Sequence, residues 1–129
     1  MKKLITLLSM LSIAVSAFAG PAKIADITHA ELQAAVAAKA VVLLDVNGSE
    51  SFAEGRIPGA VDFAVAKAKL ADILPKDKSA LVVAYCGNER CSAYRAGANA
   101  ALALGYTNVK HYAPGIAGWK KSGAKVDRS

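Results

Sequence analysis

ALVVAYCGNERCSAYRAGANAALALG, residues 80–105, contains both cysteines of the chain and a complete change of hydrophobic period. ALVVAY, 80–85, is an unbroken apolar run with β-branched members, the pattern of a strand buried on both faces. It runs directly into Cys86, and Cys91 follows five positions later. Ser92 then stands as the N-cap of an Ala-rich helix over 92–105, with Gly105 just past its end. A strand handing the chain through a tight loop to a helix is the elementary unit of α/β architecture. In such folds ligands gather at the carboxyl ends of strands. Position alone therefore marks Cys86 as a candidate site residue.

Working outward, the same alternation repeats. IADI, 24–27, suggests a short strand. THAELQAAVAAK, 28–39, is the best-marked helix start: Thr28 with Glu31 three residues on makes a capping box, and Ile27 with Leu32 a hydrophobic staple. AVVLLDV, 40–46, is a second doubly buried strand, ended by Asn47-Gly48. SESFAEG, 49–55, predicts one or two helical turns stopped by Gly55. IPGAVDF, 57–63, predicts a turn leading into a strand, and AVAKAKLADIL, 64–74, a helix. NVKHY, 108–112, is a further strand candidate, and IAGWKKSG, 116–123, a short closing helix. Neither an internal repeat nor a low-complexity linker interrupts the series. The expected architecture is a single α/β domain, its central, mostly parallel sheet covered by helices on both sides.

The first stretch, MKKLITLLSMLSIAVSAFAG, is set apart from the fold. Lys2 and Lys3 form a positive n-region, residues 4–18 are uncharged and mostly apolar, and Ala17-Phe18-Ala19 places small residues at a cleavage site. This is the anatomy of a secretory signal peptide, residues 1–19, with cleavage expected after Ala19. The apolar run is short for a membrane span of roughly 20 residues. The expected mature domain is 20–129, periplasmic or secreted, monomeric and free of the membrane. Loss of Lys2 and Lys3 brings the formal charge from +6 to +4. The lysines are scattered and aromatics few, which argues against a nucleic-acid surface. A mildly basic balance favours small anionic substrates weakly.

Export puts the cysteines in an oxidising compartment, where a count of two permits one disulfide. A loop that curls back could bring Cys86 and Cys91 within the Cα separation a disulfide needs, roughly 4.4–6.8 Å. A purely structural bridge is less attractive, because so short a closed loop removes little unfolded-state entropy. As a metal site the pair is weak, with only His29 and His111 to help; His29 is expected in a solvated first helical turn and His111 in a strand. No metal or cofactor is expected. If the amides of residues 87–92 point inward, and the following helix aims its positive end at the same spot, Cys86 is favoured as thiolate, with Arg90 and Arg95 adding positive charge. Such settings lower a thiol pKa from about 8.5 to roughly 3.5–7.5. Phosphatase chemistry fails by counting: a Cys-x5-Arg loop needs arginine at 92, which is Ser92.

VVLLDVNGSESFAEGRIPGAVDF, 41–63, and VVAYCGNERCSAYRAGANAALALGYTNVKHYAPGIAGWKKSG, 82–123, carry a family likeness. The first resembles the Asp-Val strand and Gly-x-Ile-Pro-Gly-Ala signature of the rhodanese-homology domain. The second resembles that family's active loop, its following helix, a Gly-Tyr-x-Asn-Val strand and a closing Gly-Ile-x-x-Trp. The likeness covers nearly the whole mature part. It implies a three-layer fold with about five short strands. It also implies a sulfurtransferase in which Cys86 takes a sulfane sulfur and holds it as a persulfide. On the same resemblance Gly87, Asn88, Glu89, Arg90 and Cys91 cradle the substrate and Ser92 is the serine that follows the loop. Asp45 organises the site, Arg56 stands where histidine is common, and Trp119 matches the family's tryptophan near the carboxyl end, read here as core packing. Asn47 stands where many members have arginine, Pro114 replaces a usual glycine, and Cys91 replaces a basic residue. These departures leave the donor open.

Three readings follow. The first is a sulfurtransferase taking sulfur from a small anionic donor and passing it to a thiol or cyanide-like acceptor, with a protein thiol as a further candidate partner. The second is a thiol–disulfide redox or sulfur-trafficking protein cycling Cys86 and Cys91, with Cys91 as resolving thiol. The third is a non-catalytic binding module.

Overall fold

The computed structural model describes residues 24–129; the segment 1–19 expected to be a signal peptide and the first residues of the expected domain lie outside the described part. Five parallel strands form one sheet in the order β1-β5-β4-β2-β3. They are β1 (Ala25–Asp26), β2 (Val42–Asp45), β3 (Val61–Asp62), β4 (Val82–Tyr85) and β5 (Val109–His111). The helices are α1 (His29–Ala37), α2 (Ser49–Glu54), α3 (Phe63–Ala66), α4 (Leu70–Ile73), α5 (Tyr94–Ala103) and α6 (Gly115–Lys121).

Alternation along the central strands divides the core in two, because successive side chains leave opposite faces. Val82 and Ala84 of β4 join Leu44, Phe63, Leu70, Ala98 and Ala101 on the face covered by α3, α4 and α5. Val83 and Tyr85 join Leu43, Leu32, Ile57, Tyr112 and Trp119 on the face covered by α1 and α6. All four β4 residues are buried, as expected for a strand with helices on both sides. Among the described residues no helix is long and apolar enough to cross a membrane.

Local signals translate well where chemistry is local. Thr28 and Glu31 cap α1 reciprocally, Glu31 N–H to Thr28 Oγ1 at 3.2 Å and Thr28 N–H to Glu31 Oε2 at 3.0 Å. Ile27 and Leu32 are both buried in the same cluster, completing the staple. At the end of α5 the Gly105 amide donates to Leu102 O and the Tyr106 amide to Ala101 O, with Gly105 at φ +91°, a Schellman stop.

Two expectations are corrected. The single helix over 64–74 is broken into α3, a 3-10 turn at Lys67–Lys69, and α4. Lys69 leaves helical geometry at φ −127°, ψ 23°; the break keeps Phe63, Ala66, Leu70 and Leu74 all buried over a short, two-residue β3. Ser92 does not cap α5. The helix starts at Tyr94 after Ala93, without a side-chain cap. Backbone turns close the start instead, Arg95 N–H to Ser92 O and Ala96 N–H to Ala93 O, both 3.1 Å, and Ser92 is exposed.

Candidate functional site

β4 delivers Cys86 to the carboxyl edge of the sheet with only 1% of its surface exposed. The loop after it curls back so that Cys91 and Cys86 are joined as a disulfide, with Cα atoms 6.3 Å apart. Asn88 shapes the curl. Its side-chain Oδ1 accepts from the Arg90 amide at 2.9 Å, and its carbonyl accepts from the Cys91 amide at 3.1 Å. The expected ring of inward amides is therefore incomplete in this oxidised form, because Arg90 and Cys91 spend theirs on Asn88. Asn88, Glu89, Arg90 and Ser92 are exposed, while Gly87 and Cys91 are half-buried.

The base of the loop is clamped to α6. Cys86 O accepts from the Ile116 amide at 2.9 Å and Gly87 O from the Ala117 amide at 3.0 Å. Gly115 makes this docking possible. A Cβ there would lie 2.5 Å from Cys86 O, 2.7 Å from Gly87 C and 2.8 Å from Asn88 N. Beside the clamp a groove of about 410 Å³ opens between Asn88, Glu89 and Arg90 on one wall and Pro114, Gly118 and Lys121 on the other.

Beneath the loop is a buried polar network. Asp45, fully buried at the end of β2, accepts from the Asn47 amide at 3.0 Å and from the Tyr85 hydroxyl at 2.7 Å. The Tyr85 hydroxyl in turn accepts from the Ile57 amide at 3.1 Å. Through Tyr85, Asp45 thus ties the ends of β2 and β4 to the turn at 57–60. Burial pushes its carboxyl above the usual range, opposed by the hydrogen bonds from Tyr85 and Asn47. Burial, followed by the Asp45 charge, raises the Tyr85 phenol so far that it stays a donor.

Tyr85→Phe is expected to cost about 2 kcal/mol at neutral pH, since it strips a donor from a buried carboxylate and an acceptor from Ile57. A raised carboxyl pKa means that the cost of burying the ion is present above that pKa and relieved as pH falls through it. The variant's deficit against wild type in urea denaturation should therefore shrink on acidification; a deficit that grows would show that Asp45 is not the partner that matters.

Arg56 and His29 lie elsewhere than expected. The Arg56 guanidinium donates to Phe52 O at 3.1 Å and Ser129 Oγ at 2.9 Å, and lies 4.3 Å over the Phe52 ring. It ties the carboxyl-terminal tail to α2 rather than facing the cysteine loop, because its length carries the charge outward; only its field reaches Tyr85. His29 is not simply solvated: its Nδ1 lies 2.8 Å from the Tyr112 hydroxyl and its ring 5.3 Å from Trp119, since α1 packs over that segment. Trp119 is buried core, its indole N–H donating to Lys125 O at 2.8 Å. Among the described residues no group of three or more His, Cys, Asp or Glu could hold a metal ion.

Sequence reasoning passed over three features. Tyr85 was hidden inside an apolar run, although a hydroxyl buried at a strand end calls for a partner. Gly115 owes its role to contacts with Cys86, Gly87 and Asn88, a distant segment of the sequence. Tyr94 stacks on His111 with ring centroids 3.4 Å apart, and nothing local announces it. His111 Nδ1 faces Asp26 at 3.3 Å, while its buried Nε2 has no hydrogen-bond partner among the described residues, as is true of Asn47 Nδ2. Burial first, then Asp26 in opposition, sets the His111 pKa, and the net direction is downward from 6.5. A depressed histidine is less protonated folded than unfolded, so its stability contribution is present above about 6.5 and is lost as pH falls. The urea midpoint should drop between about pH 7 and pH 5, and His111→Gln should flatten that slope; an unchanged slope would refute the assignment.

A family model for the rhodanese-like domain matches residues 28–122. The chain belongs to the rhodanese-like domain family. No curated protein matches it in a sequence search. Solved structures agree on the fold. A rhodanese-related protein from Thermoplasma volcanium superposes with a TM-score of 0.63 at 22% identity, over 81% of this chain and 99% of that one. A thiosulfate sulfurtransferase from Pseudomonas aeruginosa gives 0.65 at 23%, over 81% of this chain but 20% of that one. The human single-domain sulfurtransferase gives 0.58 at 23%, over 77% and 97%. In this rhodanese-like chain the strand-end cysteine of the central β4 is Cys86.

Proposed function

We propose that this rhodanese-like protein is a sulfurtransferase with Cys86 as sulfur carrier, exported by the signal sequence read in residues 1–19. The observation that carries the reading is the placement of Cys86: a buried sulfur at the carboxyl end of the central strand, opening a loop whose base is held by α6. The Cys86 thiolate attacks the sulfane sulfur of a small anionic donor. A sulfur–sulfur bond forms to Cys86, and the donor's remaining fragment leaves with the electron pair. A thiol or cyanide-like acceptor then attacks the outer sulfur and regenerates the thiolate. No general base is needed once the thiolate exists.

The disulfide with Cys91 favours a second reading alongside the first, that of a redox-cycling protein in which Cys91 resolves Cys86. Both begin with opening of that bond. Mass spectrometry of the fully reduced protein, before and after thiosulfate or a polysulfide, separates them. Gain of a sulfur atom on Cys86 supports transfer. Return to the disulfide without any sulfur adduct supports the redox reading.

A further inference from the structure

The two sulfurs of the disulfide are not equivalent targets. Cys86 is 1% exposed, behind it lies the core around Tyr85, and α6 is bonded to its carbonyl. Cys91 is half-buried on the outer limb of the loop. Thiol–disulfide exchange needs an attacking thiolate to reach one sulfur from the side opposite the bond being broken, so access selects which sulfur is attacked.

Cys91 directly follows Arg90, one wall of the groove whose other wall ends at Lys121. Both cations are exposed, and among the described residues neither has an ion-pair partner. Glu89 supplies one negative charge, which leaves the groove net positive. Its volume of about 410 Å³ is in the range of small-molecule sites, and Pro114, Ala117 and Gly118 make the wall beside Lys121 mostly apolar.

We infer that the disulfide is opened by a small anionic thiol that seats its negative group between Arg90 and Lys121 and attacks Cys91, releasing Cys86 as the leaving thiolate. The first thiolate forms a mixed disulfide with Cys91, and the electron pair of the broken bond goes to Cys86. A second thiol attacks the mixed disulfide at the small-molecule sulfur. It departs as the oxidised dimer of the small thiol and leaves Cys91 reduced. Two thiols are oxidised and one protein disulfide is reduced. This step goes beyond sulfur transfer but rests on the proposed site, because it supplies the Cys86 thiolate that transfer starts from.

The test uses three thiols with the same two-carbon frame: mercaptoethanesulfonate, mercaptoethanol and mercaptoethylamine. Reduction rates of the oxidised protein are compared at equal thiolate concentration. The anionic thiol should be about fivefold faster than the neutral one at low salt, and the cationic one slower. The preference should fade in high salt and in the Arg90→Gln/Lys121→Gln double variant. For regiochemistry, a maleimide present during the reaction caps the freed cysteine. Trypsin cuts after Arg90 and separates the two cysteines. The expected products are capped Cys86 and thiol-bearing Cys91. The reverse labelling, an absent charge preference, or rapid reduction by a protein dithiol that ignores both substitutions would each overturn the inference. Failure of reduced Cys86 to take up a sulfur atom would sink sulfur transfer while leaving this result intact.

Discussion

Cys86→Ser is expected to abolish sulfur uptake, whereas Cys91→Ser keeps it and no longer needs prior reduction. A serine hydroxyl at residue 86 is not ionised near neutral pH and cannot hold a transferable sulfur, so turnover should fall by at least about 10³-fold. Both variants lose the disulfide, whose short loop is worth about 2 kcal/mol in the chain-entropy account. That loss is common to the pair and cancels in the comparison. What differs is the atom that remains. Cys91→Ser retains the buried strand-end sulfur and removes the partner that blocks it. Wild-type protein prepared oxidised should show no adduct on exposure to thiosulfate until a thiol reductant is added. Cys91→Ser should show it at once. Equal uptake by the two variants, or none by either after reduction, would rule out Cys86 as the carrier.

Gly115→Ala should be strongly destabilising for so small a change. Gly115 sits at φ +63°, a region that costs an L-residue about 1–2 kcal/mol. Its missing Cβ would fall on backbone atoms of Cys86, Gly87 and Asn88, none farther than 2.8 Å. Backbone cannot rotate away as a side chain end would, so α6 or the loop must move. Movement breaks the Ile116 and Ala117 amide bonds to Cys86 O and Gly87 O. Strain, overpacking and the lost hydrogen bonds together should cost about 3 kcal/mol or more. Gly105→Ala is the control: φ is +91°, but a Cβ there meets nothing within 4 Å. It should cost only about 1 kcal/mol. Urea denaturation of both variants measures the difference. Equal losses would mean that positive φ alone, and not the docking of α6 on the cysteine loop, makes Gly115 necessary.

Much of the fold was legible because its signals are local or periodic. The continuous apolar runs at 40–46 and 80–85 became the central pair β2 and β4, joined in register from Val42↔Val82 to Asp45↔Tyr85. A run buried on both faces can only sit inside a covered sheet. The Thr28–Glu31 box was readable because its partners are three residues apart. The helix over 64–74 was misread because its apolar spacing fits one helix and a helix broken by a 3-10 turn equally well. Ser92 was misread as a cap because residue type states what a side chain can do. Where the loop before it ends was decided by the curl of residues 86–91.

For the site the division is similar. Cys86 could be singled out from its place after a buried strand, and Asp45 from the family likeness. Tyr85, Gly115 and the groove at Arg90 and Lys121 could not. Their roles depend on contacts between segments far apart in sequence: β4 with the turn at 57, the loop at 86–88 with the residue that opens α6.

The amino-acid sequence alone determined the alternation of strands and helices, the family and the identity of the cysteine to examine, since these follow from hydrophobic period, capping chemistry and order of motifs along one chain. Only the tertiary structure decided that Cys86 is sealed while Cys91 stays reachable, that Asp45 is held by Tyr85, and that a glycine in another segment supports the loop. Burial and close approach are properties of pairs of segments, and they come into being only when the sheet assembles.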